Sequence, residues 1–590
     1  MFTGGPRGDL IKIHLGAAGT LVAGNRKRFG DGAFMVSTWP SLAVRGAAAL
    51  ACLLAVAGCT SSGGDFPDPI SSQPSGPPTG YVADPGTLTI VAGSEQRSVV
   101  ETIVQPWCSD VRHITCSVTY LGSVDQARLL ESGQADYDAF WFASSVFAQL
   151  GDRQHQLQDL ASMSVTPIVF AGWKSQMERL GFVGRDVTIA EVLKAVESHK
   201  VTTWVTNPTQ SNSGASVYLG YLTWFAHDTT GQALTEAQLG QPDVQQGITR
   251  FVRAFTKTPP STGTLMDDCI AQPAQCQTMF TYEDLVMERN NKLVAQGKEP
   301  LYVVYPKGSL AIADAPLGFL PHNGGDATKK ANFDALQKYL LTDPTAQKAM
   351  LSLGRRPADI TALSLTNAPP DVFNPDWGIR TTIRDQQLAY PAGTVIEKAL
   401  NDYQDTFRSP ADVVYCLDSS GSMGSNGGWE GVDEAAGLLF DPVQSRRYFL
   451  QVNGSDRTTV IVFADSAKGQ WTVTGNAPAE ITGLRDDIRS LSPDGSTAIY
   501  DCLNNAATFF DQNPPAGRKR LVILMTDGKN NAGASELSPA LLALKVPVVT
   551  IAFGSDADPA ALKAIANSTH GAFIQTNDLV TALRQATGYR

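Results

Sequence analysis

The sequence predicts an α/β protein with two successive folded domains, the second a doubly wound sheet with a polar site at its carboxyl edge. Three observations predict it. Apolar strand-like runs alternate with helical patterns from residue 87 to residue 590. The run Val413-Val414-Tyr415-Cys416-Leu417 ends in Asp418-Ser419-Ser420-Gly421-Ser422. It reads as a buried strand delivering an acid and hydroxyls to the loop where open α/β sheets build ligand sites. A second apolar run, Leu521-Val522-Ile523-Leu524-Met525-Thr526, ends in Asp527-Gly528.

In chain order the first element is a targeting segment. Arg45 precedes an apolar run, residues 46–57, that is too short for a stable membrane span but suits a signal-peptide core. Met35 gives a signal of normal length, so 1–58 reads as the signal region, with a misassigned extension before Met35. The end of the run, Val56-Ala57-Gly58-Cys59, resembles the bacterial lipoprotein cleavage box. That resemblance implies a lipidated Cys59 and a chain anchored at the extracytoplasmic face of the cell membrane. Residues 59–86, rich in Ser, Gly, Pro and Asp, read as a flexible tether.

The chain has eight cysteines. Besides Cys52 in the signal and Cys59, Cys108/Cys116 and Cys269/Cys276 are close pairs that would close small loops, as suits an oxidising compartment. Cys416 and Cys502 read either as a long-range bridge or as two buried thiols.

Residues 87–362 alternate strand-like runs at 114–120, 137–142, 166–170, 200–205 and 301–305 with helical patterns. Those patterns lie at 97–106, 125–133, 189–198, 245–256, 282–296 and 330–352. Four strand-to-helix turns are dense in hydrogen-bonding groups: Gly93-Ser94-Glu95, Ser144-Ser145, Ser211-Asn212-Ser213-Gly214 and Thr281-Tyr282-Glu283. Such residues are also common helix caps. In this order the four turns resemble the extracellular (periplasmic-type) solute-binding family, a two-lobed fold. The resemblance implies hinge crossings within 166–173 and 302–314, and a closing segment at Gly354-Arg355-Arg356-Pro357. It also implies a cleft lined by Ser94, Glu95, Ser144, Ser145, Ser211, Asn212, Ser213, Gly214 and Tyr282, for a small polar or anionic solute.

Residues 363–410 read as a Pro-rich linker ending in an amphipathic helix over 394–407 that braces the second domain. In residues 411–590 strands are predicted at 412–418, 458–464, 469–474, 520–526, 546–553 and 572–576, with helices between them. Asp418-Ser419-Ser420-Gly421-Ser422, then Thr497 at a helix-opening turn, then Thr526-Asp527-Gly528, resembles the von Willebrand factor A domain, a Rossmann-like fold, with its metal-ion-dependent adhesion site. The resemblance implies Asp418, Ser420, Ser422, Thr497 and Asp527 as ligands of Mg²⁺, or of Mn²⁺ or Ca²⁺. Hard oxygen donors suit such an ion, and a vacant coordination position would accept an acidic residue of a protein partner.

Net charge is −11, and no basic patch with interleaved aromatics is present, which argues against nucleic acid. No Gly-x-Ser-x-Gly elbow, His-Glu-x-x-His or Walker loop occurs, and the seven histidines are scattered, so no enzyme is expected. The expected function is a surface lipoprotein with metal-dependent protein binding and a solute-binding-like sensor domain. The alternative is the solute-binding component of an ABC-type importer with a regulatory or docking A domain.

Overall fold

Short apolar runs bounded by Gly, Pro, Asp and Ser form the strands of this chain, and the stretches between them form the covering helices. The structure, a computed structural model, describes residues 81–133, 135–227, 231–308, 310–322, 327–358, 363–425, 427–554, 557–575 and 579–589. The signal region, Cys59 and the tether up to residue 80 lie outside the described residues.

The strands β1 (Thr87–Ala92), β2 (Thr115–Tyr120), β3 (Ala139–Trp141) and β4 (Gln158–Ser162) come first. The chain then crosses to a second body with β5 (Thr166–Trp173), β6 (Val187–Thr188), β7 (Thr203–Trp204) and β8 (Thr278–Tyr282). It continues with β9 (Leu301–Val304), β10 (Pro306–Lys307) and β11 (Ile312–Ala313), and crosses back as β12 (Pro316–Phe319). Lobe 1 holds the sheet β2-β1-β3-β12-β4, and lobe 2 holds β11-β5-β8-β7 with β9 against β5. The strands β6 and β10 pair separately. Two short strand-to-strand crossings, 163–165 and 314–315, therefore join the lobes, and the chain crosses a third time, back to lobe 2, after Ser352, where Arg356 pairs with Glu283. The two-lobed α/β architecture expected for this region is the one found.

The helices Ala327–Thr342 and Pro344–Ser352 return to cover lobe 1, placing Phe333, Leu336, Leu340 and Met350 against Leu88, Ile90 and Trp141. A single helix over 330–352 is expected from the pattern. Asp343 instead breaks it, its carboxylate accepting from the amides of Thr345 and Ala346 as a new helix starts at Pro344. Beneath that layer Lys329 Nζ lies 2.8 Å from Asp138 Oδ2, both fully buried, and Asp138 also accepts from Thr89 N and Oγ1. The expected helix over 97–106 runs on to Arg112 with wide turns on either side of Pro106, whose missing N–H cannot close an ordinary turn. The helix Asn212–His227 starts at the predicted turn Ser211–Gly214, but its length has no counterpart in the pattern, because Asn212 to Thr223 are buried all round and no polar stripe marks it.

The last sheet contains β13 (Ala411–Asp418), β14 (Arg457–Phe463), β15 (Ala467–Thr474), β16 (Lys519–Thr526), β17 (Val548–Ala552) and β18 (Phe573–Gln575). Its order is β15-β14-β13-β16-β17-β18, with every pairing parallel except β14–β15. Alternation sorts the central strand. Val413, Tyr415 and Leu417 face the helices Gly428–Phe440, Pro478–Arg489 and Leu579–Thr587, while Val414 and Cys416 face Ile499–Gln512 and Pro559–Ser568. This is the doubly wound sheet that the sequence predicts.

The three expected cysteine pairs are all bridged: Cys108–Cys116, Cys269–Cys276 and Cys416–Cys502. For Cys416 and Cys502 the structure decides in favour of the bridge over two free thiols.

The amino edge of the last sheet packs on the two lobes, and the described residues, from 81 onward, form one compact unit. At the start of β16, Lys519 Nζ donates to Phe255 O at 3.0 Å. Before β13, Arg408 pairs with Asp456 in a buried bidentate contact. The linker helix is Gly393–Asp402, continued by a wide turn to Phe407. It reaches both lobes: Glu397 pairs with Arg128 and Arg153, and Tyr218 OH donates to Ala399 O at 2.8 Å.

Candidate functional site

The last sheet changes direction at its centre. From β13 the chain goes outward on one side to β14 and on the other to β16, so the carboxyl ends of β13 and β16 frame a topological switch point. The five oxygen-bearing residues predicted from sequence converge there. Asp418 ends β13 with its side chain fully buried, Oδ1 accepting from Ser420 N at 2.7 Å and Oδ2 from Thr526 Oγ1. Ser422 Oγ donates to Asp527 Oδ1 at 2.7 Å and lies 3.2 Å from Ser420 Oγ. Thr497 enters from the turn before Ile499–Gln512, held by its N–H donating to Asn531 Oδ1 at 2.7 Å. A Cβ on Gly528 would sit 3.1 Å from Thr497 Oγ1 and 3.6 Å from Ser422 Oγ, so both hydroxyls face the same small space.

The loops are knitted together by backbone. Gly421 N donates to Gly495 O at 3.0 Å and Asp494 N to Ser419 O at 3.0 Å. Lys468 Nζ closes the rim, reaching Ser419 O at 3.2 Å and pairing with Asp494. Burial raises the Asp418 carboxyl above its ordinary range, against the hydrogen bond from Thr526, and the Asp527 charge raises it further. Two buried, mutually repelling carboxylates ringed by three hydroxyls form an all-oxygen donor set that fits a hard divalent cation. Asp418, Ser420, Ser422, Thr497 and Asp527 are the residues that would hold it.

The predicted cleft residues divide into groups. Ser211, Asn212, Ser213, Gly214 and Tyr282 come together in lobe 2. Ser213 Oγ lies 2.8 Å from both Thr206 Oγ1 and Thr262 Oγ1, and Asn212 Nδ2 donates to Tyr282 OH at 2.8 Å. Gly214 is required there, since a Cβ would lie 2.0 Å from Thr206 O. Ser94 meets this group from lobe 1, its Oγ accepting from Gly263 N at 3.0 Å. Ser144 and Ser145 lie at the hinge. Ser144 caps the helix Ser145–Gly151, and the Ser145 amide donates to Asp314 Oδ1 at 2.8 Å. These hydroxyls therefore bond to protein groups in a closed arrangement.

Glu95 is 5 % exposed and folds back over Gly93, with Oε1 lacking a hydrogen-bond partner. Behind it runs a buried ionic group that residue-type reasoning does not assemble. Arg355 pairs with Asp284 at 3.2 Å and Glu288 at 2.7 Å, and Arg356 pairs with Glu283 at 2.7 Å. Glu283 and Asp284 follow Tyr282 directly, Glu288 lies one helical turn further on, and the arginines form the closing segment, so both halves are visible in the sequence while their pairing is not.

Burial pushes the Glu95 carboxyl up to about 7, with Asp284 adding to the rise and Arg355 opposing it. Burial likewise pushes Asp284 up to about 7. Both folded values lie above the unfolded ones. The folded state therefore retains protons that the unfolded chain has lost, and stability falls as pH rises from the ordinary carboxylate range to about 7. Glu95→Gln, a neutral mimic, is expected to flatten that slope and to gain on the order of 1–3 kcal/mol at pH 8 relative to pH 5. Urea titrations of both proteins at the two pH values check this; parallel pH responses would refute it.

A cavity of about 640 Å³ lies beside the cleft, walled by Ser94 and Tyr120 of lobe 1, Ser261 and Arg289 of lobe 2, and Gln585 and Tyr589 of the last domain. Among the described residues no helix is long and apolar enough to cross a membrane.

Comparison with known proteins agrees with the geometry of the last sheet: residues 412–587 match the von Willebrand factor type A domain. The inter-alpha-trypsin inhibitor heavy chain H6 of Homo sapiens is 27% identical over 176 residues, which cover 27% of this chain and 13% of that protein. The uncharacterized protein YwmC of Bacillus subtilis (strain 168) is 26% identical over 141 residues, covering 22% of this chain and 61% of that protein. The chain thus spans less than two thirds of either relative. A solved periplasmic binding protein, AfuA from Actinobacillus pleuropneumoniae with fructose-6-phosphate bound, aligns over 54% of this chain and 98% of its own, at 12% identity and a TM-score of 0.38.

Proposed function

We propose that this chain is a lipid-anchored extracytoplasmic binding protein whose A domain captures an acidic residue of a protein partner through a divalent cation. The observation that carries this reading is the convergence of Asp418, Ser420, Ser422, Thr497 and Asp527 at one switch point, with two buried carboxylates among them. A bound cation would offer an electrophilic position to a carboxylate from outside. The chain's own residues hold the donor loops in register through the backbone bonds between Gly421 and Gly495 and between Asp494 and Ser419.

The three disulfides support an oxidising location, and the cleavage box ending in Cys59 supports anchoring. Binding rather than catalysis is favoured because the carboxylates are accounted for as cation ligands. The two-lobed domain serves in this reading as a scaffold or sensor. Its cleft hydroxyls already bond to protein groups, which favours this over a solute importer's feeder.

The test is capture of envelope proteins on the immobilised full-length chain, in Mg²⁺ and in EDTA, with Asp527→Ala as control. A partner retained in Mg²⁺ and released both by EDTA and by the substitution is the expected result. A partner still held in EDTA would overturn the reading.

A further inference from the structure

The two lobes touch directly across the cleft. Val124 N of lobe 1 donates to Gln210 O of lobe 2 at 3.1 Å. Gly263 N of lobe 2 donates to Ser94 Oγ of lobe 1 at 3.0 Å, and Ser98 Oγ donates to Glu288 Oε2 at 2.7 Å. A Cβ on Gly122 would sit 2.2 Å from Gln210 O, so the seam is tight at this point. Two lobes joined by short crossings need something to hold them in that position, and the last helix of the A domain is placed to do so.

Arg584 touches both lobes at once. Its guanidinium pairs with Asp125 of lobe 1, and its carbonyl accepts from Gln210 Nε2 of lobe 2. Four residues on, Gly588 O accepts from Asn207 Nδ2 and from Thr258 Oγ1, both at 3.2 Å and both in lobe 2. The final carbonyls of a helix lack partners within it; here Arg584 O accepts from Gly588 N and Thr587 Oγ1 as well as from Gln210, and lobe 2 side chains supply the donors to Gly588 O. Asp125 and Arg584 are 7 % and 5 % exposed, so the pair is shielded from water and from salt. Gln585 and Tyr589 wall the cavity beside the seam.

We propose that the segment Arg584 to Tyr589 is a built-in clasp that holds the two lobes closed through protein contacts, so that the cleft opens only when the A domain lifts away. The physical reason is geometric. Rotation about the crossings carries Asp125 and Gln210 apart, and one residue cannot follow both. The linker helix adds a second strap through Glu397 on lobe 1 and Ala399 on lobe 2. The clasp sits at the amino edge of the A-domain sheet, the end away from the candidate cation site, and its action does not depend on a bound cation.

Hydrogen exchange on the full-length protein, followed by mass spectrometry, tests the clasp. The reporters are the amides of Val124 and Gly263, whose acceptors lie on the opposite lobe. In Arg584→Ala combined with Gln210→Ala, exchange at both is expected to accelerate at least tenfold, with the strand Leu521–Met525 still protected. Gly263 bonds to neither altered residue, so loosening confined to the clasp would leave it protected. Unchanged exchange at Gly263 overturns the proposal. Should the double variant also lose protection in Leu521–Met525, Asp125→Asn, which leaves the A-domain sequence intact, decides: acceleration at Gly263 supports the clasp, and unchanged exchange overturns it.

Discussion

In Asp418→Ala, Mg²⁺ is expected to leave the melting temperature of the A domain unchanged, whereas the same concentration raises that of the unaltered protein by about 5–10 °C. The size follows from linkage. A ligand present at a hundredfold excess over its dissociation constant stabilises by about 2.7 kcal/mol, and each kcal/mol is worth about 2–4 °C in a domain of this size. Asp418 is one of two buried carboxylates and is fully buried, so its loss removes half of the charge that offsets a divalent ion. The fold should survive, because the apolar side chains of β13 remain in both face clusters. Removing a carboxylate that burial disfavours, and that Asp527 repels, should offset the loss of its hydrogen bonds from Ser420 N and Thr526 Oγ1, so the cation-free variant should melt close to the parent. Differential scanning calorimetry with and without Mg²⁺ reads both effects. An undiminished rise in the variant would remove Asp418 from the donor set.

The second large effect belongs to Cys416–Cys502. The bridge closes a loop of 86 residues, for which chain entropy predicts about 4–5 kcal/mol. Cys416→Ala with Cys502→Ala should therefore lower the melting temperature of the A domain by about 10 °C or more. Because both cysteines lie in one buried cluster, the loss of packing adds to the loss of the cross-link. A second consequence is local to the site. Cys416 precedes Asp418 by two residues on β13, and Cys502 lies on the helix whose opening turn carries Thr497. The bridge thus ties together two of the three loops that supply donors. The double variant should bind Mg²⁺ several-fold more weakly, measured by titration calorimetry well below its melting temperature. A fall of less than 2 °C with unchanged affinity would show that packing alone holds the loops.

Legibility in the sequence followed the range of the interaction. The strand ending at Asp418 and the strand ending at Asp527 were readable because apolar runs with a polar terminus are local patterns. Their convergence with Thr497 was readable only through the family resemblance, since nothing in the spacing brings residues 418, 497 and 527 together. The close cysteine pairs were legible from short loops, whereas Cys416–Cys502 stayed open until the tertiary structure placed β13 against the helix Ile499–Gln512. In the two-lobed region the turns were found, but their roles were not separable. Ser144 and Ser145 look like Ser211 and Ser213 in sequence. The structure puts the first pair at the hinge with Asp314 and the second against Thr262. The turn at Ser211–Gly214 marks the start of the helix Asn212–His227, but its length is not legible, because a helix buried on every side has no amphipathic period.

By itself the sequence determined the α/β class, the doubly wound last sheet and the chemistry gathered at its strand ends. Those features depend on residue patterns within about ten positions of one another. Only the tertiary structure decided that the two bodies pack as one unit and that the lobes close on each other. The same holds for Arg584, which spans both lobes. Its partner Asp125 is 459 residues away in the chain, and Gln210 is 374 away. Such contacts come from the docking of completed sheets and helices, where surface shape and buried charge select the partner and no local pattern records the choice.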